Sequence, residues 1–287
     1  GEKPISLAEA QKLSVAYNIS IDDLTGSSSH SVTFKTNFLE EKSYSFQNWL
    51  KDLYQFTVDV EHMKDPEVIF ILNELNIFHL LQFPELCAFK MFFWQKSNLE
   101  FDNLKHLKFS LEDLDQEILR FSSEIINKFI RISTIEFTTE DCLNSILKQL
   151  LYYSEAGYFE SRKDALKLCE KLHELIDHQK MQAECEYKFL VGHPPYGNKD
   201  NLRLFHNDII LADNTVIIKS EESGLIFITS NAINLMHTGN KKFFEYNYRW
   251  GMSLLKKSVQ ISGTAEKERN RFFQVLHNQI ERTSAII

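Results

Sequence analysis

Three textures succeed one another in the pattern of apolar and polar positions along the chain. In residues 1–26 the apolar positions Leu7, Ala10, Leu13, Ala16 and Tyr17 recur at helical spacing. They follow Ser6-Leu-Ala-Glu, a capping box in which Glu9 can reach back to the Ser6 amide. Asn18 is suited to close that helix in a left-handed conformation, and Ser20 with Asp22 and Asp23 starts a second short turn. Gly26 and Ser27-Ser28-Ser29 break the pattern, and residues 27–43 read as a linker.

Residues 44–186 carry a helical period throughout. Phe46, Trp49, Leu50 and Leu53 share one helix face, and Asp65-Pro66 reads as an N-cap followed by proline at the first helical position. Pro84 opens a helix running through Phe93. A long helix from Ser110 carries Leu114, Ile118, Phe121, Ile125, Phe129 and Ile132, and Thr139 opens the next, through Tyr153. A turn at Gly157 leads to a helix from about Ser161 to Gln182.

From Tyr187 the period shortens. YKFLVG, LRLFHNDIILAD, NTVIIKS and GLIFITS are rich in β-branched and aromatic residues and separated by turn clusters, which predicts strands of one antiparallel sheet. Two helices follow, from Lys241 to about Ser258 and from about Ala265 to Arg282. The second is capped by Thr264 and buries Phe272, Phe273, Leu276 and Ile280.

Composition sharpens this picture. The chain has 287 residues, 43% hydrophobic and 25% charged, which is globular. A net charge of −8 argues against a uniformly basic nucleic-acid surface, although a small basic reader on an acidic body remains compatible with it. Cys87, Cys142, Cys169 and Cys185 form no C-x-x-C pair, so reduced thiols are expected rather than a zinc knuckle or a redox dithiol. The most apolar stretch, VIFILNELNIFHLLQF from Val68, contains Asn73, Glu74, Asn76 and His79. It falls short of the ~18 uninterrupted apolar residues of a spanning helix. No signal-peptide pattern opens the chain, so we expect a soluble cytoplasmic protein with no membrane partner.

Catalytic motifs are weak. His173-Glu174-Leu175-Ile176-Asp177-His178 misses H-E-x-x-H by one position, which sets the imidazoles roughly 140° apart on a helix and spoils a shared zinc face. His206-Asn207-Asp208 reads as a turn or bulge, and Gly192-His193-Pro194-Pro195-Tyr196-Gly197 as a stiff surface turn. G-x-S-x-G, P-loop and G-x-G-x-x-G patterns do not occur. We expect no enzyme, no cofactor and no metal.

The segment SLAEAQKLSVAYNISIDDL, through Leu7, Ala10, Leu13, Ala16, Ile19, Ser20, Ile21, Asp23 and Leu24, resembles the C-terminal part of the Cro and phage-repressor type helix-turn-helix domain, the Xre family. The resemblance covers residues 1–25. It implies a bacterial DNA-binding regulator whose base-reading helix would lie before Gly1, leaving Lys3 as the sole candidate phosphate contact. It also implies a homodimer on a two-fold operator, with room for a small-molecule or peptide effector. SILKQLLYYSEAGYFESRKDALKLCEKLHELI resembles one tetratricopeptide-like hairpin, with a generic antiparallel helix pair as the other reading. The strands from DIILAD to FITSN, followed by a helix bearing Trp250, loosely resemble the effector domains of sugar-responsive archaeal regulators, and this stretch lacks the H-x-K signature of the related phospholipase-type enzymes.

The expected architecture is therefore mainly α: a helical (tetratricopeptide-like or bundle) middle with a small C-terminal α+β domain built on an antiparallel sheet. Its segments are 1–26, a helix-turn-helix remnant; 27–43, a linker; 44–186, all helical; and 187–287, α+β. The stretch 240–287 holds nine Lys/Arg against four acids. KKFFEYNYRW interleaves bases with aromatics, so Phe243, Tyr246, Arg249 and Trp250 form a candidate ligand or partner surface beside the plainer reading of an amphipathic helix. Two functions follow: a DNA-binding transcriptional regulator, or a helical-repeat protein-interaction module without DNA binding.

Overall fold

The computed structural model describes residues 5–17, 21, 31–37, 45–98, 100–195, 200–208, 214–230 and 234–287. Its strands are β1 (Lys35–Thr36), β2 (Glu67–Ile71), β3 (Thr134–Thr138), β4 (Leu202–His206), β5 (Thr215–Lys219), β6 (Gly224–Ser230), β7 (Asn234–Thr238) and β8 (Val259–Gln260). Its α-helices are α1 (Leu7–Tyr17), α2 (Phe46–His62), α3 (Ile77–Leu80), α4 (Pro84–Phe93), α5 (Gln116–Phe129), α6 (Asn144–Glu155), α7 (Arg162–Cys185), α8 (Lys241–Leu254) and α9 (Glu266–Ile286). The strands form one mixed sheet in the order β1-β7-β6-β5-β2-β3-β4-β8. β2, β3 and β4 run parallel, whereas β5, β6, β7 and β1 continue the other side antiparallel.

This sheet overturns the expectation of a mainly α chain with a helical-repeat or bundle middle and a small terminal sheet. Two central strands, β2 and β3, come from the stretch read as helical, and they pair with β5 and β4 from the C-terminal stretch. The reason is physical. A parallel strand covered on both faces shows a continuous apolar run, with no alternation to separate it from a buried helix. Val68, Ile69, Phe70 and Ile71 are all buried. Asp65 takes a left-handed conformation, φ 47°, and turns the chain through Pro66 straight into β2 instead of capping a helix. The helix expected from Ser110 to Ile132 is shorter. It starts at Gln116, where the Asp115 carboxylate accepts the Glu117 and Ile118 amides, and Thr134–Thr138 is extended. YKFLVG is not a strand, because the Lys188 amide donates to Asn201 Oδ1 at 2.8 Å and its side chain turns into the core.

Other elements match the pattern. α4 starts at Pro84, and α9 buries Phe272, Phe273, Leu276 and Ile280. In α1 the capping box forms: the Ser6 amide donates to Glu9 Oε2 at 2.9 Å and the Glu9 amide to Ser6 Oγ at 3.3 Å. The expected turns at Asn18, Ser20, Asp22 and Asp23 lie outside the described residues.

The sheet separates two layers. On one face Ile69, Ile71, Ile135, Phe137 and Ile217 pack under α8. The first residue of β6, Gly224, is required there, since a Cβ would meet the Phe244 ring at 2.5 Å. The opposite face carries Val68, Phe70 and Ile218 beneath α2, α3, α4 and α5, and Leu204 beneath α4, α6, α7 and α9. Each fully buried large apolar side chain contributes about 1.5–3 kcal/mol. The anticipated α6–α7 hairpin does turn at Gly157, φ 67°. α7, however, also packs along α9 and α4, so it belongs to this layer rather than to a stack of repeats.

Candidate functional site

Helix α2 forms because Ser45 caps it, accepting the Asn48 amide, and because Trp49, Leu53 and Val60 fall on one face. That face lies over β5, β6 and β7, which present Val216, Ile218, Leu225, Phe227 and Leu235 toward it. Helix and sheet do not close on one another. A cavity of about 600 Å³ lies between them, within the ~300–1000 Å³ typical of small-molecule sites. It reaches the residues after the carboxyl end of β2, Leu72, Glu74 and Asn76, together with Asn214 before β5. β2 is where the sheet changes from parallel to antiparallel.

Two kinds of polar group line it. Asp52 and Asp59 are exposed on α2, where Asp52 accepts from Asn37 Nδ2 at 3.1 Å and Asp59 from Gln55 Nε2 at 2.7 Å. Lys90 is different. Helix α4 carries it into the core, where it is 3% exposed. Its ammonium lies 3.3 Å from Glu74 Oε2, 3.4 Å from Ser145 Oγ, 3.2 Å from Gln149 Oε1 and 5.2 Å from the Trp94 ring centre. Burial pushes the Lys90 pKa down, and the Glu74 charge and hydrogen bond oppose that shift. His237, also at the cavity, is held below the ordinary imidazole value by burial and by the Lys35 charge.

A second polar cluster sits deeper, on β3. Glu136 Oε2 is 2.9 Å from His79 Nε2 and 3.3 Å from Asn76 Nδ2, and Glu136 Oε1 accepts from Thr134 Oγ1 at 3.0 Å. Burial raises the carboxyl pKa. The His79 charge and hydrogen bond, the Lys188 charge and the Thr134 hydroxyl outweigh it and bring the group down to about 2. Lys188 donates to Ile132 O at 2.6 Å, Thr134 Oγ1 at 2.8 Å and Asn201 O at 2.9 Å, so each of its three protons has an acceptor. The saturated Lys188 ammonium braces β3 and the residues before β4, while the Nδ1 atom of His79 is buried without a hydrogen-bond partner.

The residues singled out in the sequence are dispersed. Lys3 lies outside the described residues. On α8, Phe243 and Trp250 are half-buried and pack toward the sheet, whereas Tyr246 (67% exposed) and Arg249 point to solvent. The four span about 120° of the helix surface, from the sheet-facing edge at Phe243 and Trp250 to solvent at Arg249. His173 and His178 diverge on α7: His178 Nε2 meets Phe189 O at 2.9 Å, and His173 Nδ1 meets His277 Nδ1 of α9 at 2.6 Å. His277 Nε2 in turn lies 3.0 Å from Asp177. Among the described residues no group of three His, Cys, Asp or Glu side chains is placed to hold a metal ion. No helix among them is long and apolar enough to cross a membrane. Sequence inspection missed Lys90, although a lone lysine in PELCAFKMFF is itself a signal: the helix buries five of its ten residues, and Lys90 is one of them.

No family model matches the chain, and no curated protein matches it. Among solved structures it is similar to TrmBL2, described as an archaeal chromatin protein with a novel mode of DNA binding. Identity is 11% over 88% of this chain, with a TM-score of 0.29. The chain spans 62% of the length of that protein, less than two thirds. A likeness this loose assigns neither fold nor function.

Proposed function

We propose that this chain is the body of a DNA-binding transcriptional regulator, with the cavity under α2 as its sensing site. DNA would be met through a helix-turn-helix headpiece to which residues 1–25 contribute the supporting helix, and a homodimer would match a two-fold operator. The observation that carries the proposal is α1. It has the reciprocal cap expected of that family's helix, yet none of its residues is buried, and Ile5, Leu7, Val15 and Tyr17 lie in solvent. An 11-residue helix is too short to persist alone in water, where about 12–15 residues are marginal, so α1 requires a further packing partner. A headpiece supplies one. The cavity, whose exposed lining is mostly apolar, suits ligand binding better than catalysis.

The test is fluorescence anisotropy of the intact protein on its own promoter region against unrelated DNA of the same length. Promoter binding should be at least ~10³-fold tighter, and should weaken ~10³-fold or more between 50 and 200 mM salt if six or more phosphates are contacted. Equal binding to both DNAs, or none at low salt, overturns the regulator assignment.

A further inference from the structure

On the premise that the body is a sensor, the geometry points to the ligand's chemical class: a carboxylate with an apolar body. The body would lie between α2 and the antiparallel strands, and the carboxylate would sit on the Lys90 ammonium.

Three observations carry this. The cavity is lined on the helix side by Trp49, Leu53, Phe56 and Val60 and on the sheet side by apolar residues of β5, β6 and β7, so most of a ligand's surface there is out of water. Its acids on α2 are exposed at the rim, whereas its deeply buried ion is a cation. Finally, Lys90 is held loosely. Its three contacts measure 3.2–3.4 Å, longer than the ~2.7–2.9 Å of a well-formed charge-assisted hydrogen bond.

Its counter-ion, Glu74, keeps 37% of its side chain exposed. An entering carboxylate can take the place of Glu74 while Glu74 turns to water, so the buried charge stays balanced throughout the exchange. A neutral alcohol gains no ion pair there, and an ammonium meets Lys90 as a like charge, with Glu74 already paired to Lys90 and Asp52 and Asp59 exposed to water.

The experiment uses the full chain without DNA. The probes are decanoate and 2-naphthoate, each compared with its alcohol and its amine below aggregation concentrations. Trp49 and Trp94, whose rings stand 5.8 Å apart at the cavity, report binding by their fluorescence. We expect saturable binding of a carboxylate, at least about tenfold tighter than its alcohol, with no binding of the amine. Lys90→Met should remove that preference and leave alcohol binding unchanged. Glu74→Gln, which deletes the competing carboxylate, should tighten carboxylate binding severalfold.

The assignment is overturned if neither carboxylate binds, if alcohol or amine binds equally well, or if Glu74→Gln weakens carboxylate binding. Should Lys90→Met not fold, the Glu74→Gln result decides alone. Binding is read without DNA, so loss of promoter recognition would leave the ligand class standing. Promoter recognition without carboxylate binding would remove only the ligand class.

Discussion

The two halves of the helix-covered sheet face fill their space differently. On the side of β3 and β4 the packing is closed. Phe89 of α4 is fully buried, with ring centres of Phe109, Tyr153 and Phe159 at 5.4, 5.6 and 5.6 Å. The deeper charges there, Glu136 and Lys188, are met by polar partners. Over β5, β6 and β7, α2 stands clear of the sheet and a cavity of about 600 Å³ remains. Close packing on one side and open volume on the other divide the work of the fold. One half supplies rigidity, and the other supplies room that a ligand can fill.

The largest test of this comparison is Phe89→Ala. Emptying a site already packed against three rings should cost about 4 kcal/mol in urea unfolding, because the surrounding core relaxes only partly. A loss below about 1 kcal/mol would show that the closed half is not closed.

Next in size is Glu136→Gln, which leaves Lys188 and His79 without their buried counter-charge and should cost about 3 kcal/mol at neutral pH. The pH dependence fixes the cause. The folded carboxyl titrates near 2 against 4.5 for its ordinary value, so its contribution is fully present above pH 4.5 and is lost as pH falls toward 2. Wild type should therefore lose more stability across that window than the variant. Parallel curves would separate Glu136 from acid stability.

The smallest effect belongs to the open half. Leu235→Ala enlarges a space that already exists rather than creating one, and should cost about 1 kcal/mol by the same urea measurement. A loss equal to that of Phe89→Ala would mean that α2 and the strands close together in solution.

How much of this was legible depends on the range of the interactions involved. Residues close along the chain determine the Ser6–Glu9 cap of α1, the start of α4 at Pro84, the buried face of α9 and the strands β4, β5 and β6, and all of these can be read directly. β2 and β3 could not, since strands buried on both faces lose the alternation that marks a strand. The lone charges Lys90 and Glu136 stand out within apolar runs, yet their partners Ser145, Gln149 and His79 lie 55, 59 and 57 residues away in the chain. The sequence by itself determined the locally specified elements: the cap of α1, the start of α4, the apolar face of α9 and the strands β4, β5 and β6. Only the tertiary structure decided that parallel and antiparallel strands share one sheet and that α2 stops short of it. Both follow from long-range packing, in which side-chain volumes from distant segments either fill the space between layers or leave it open.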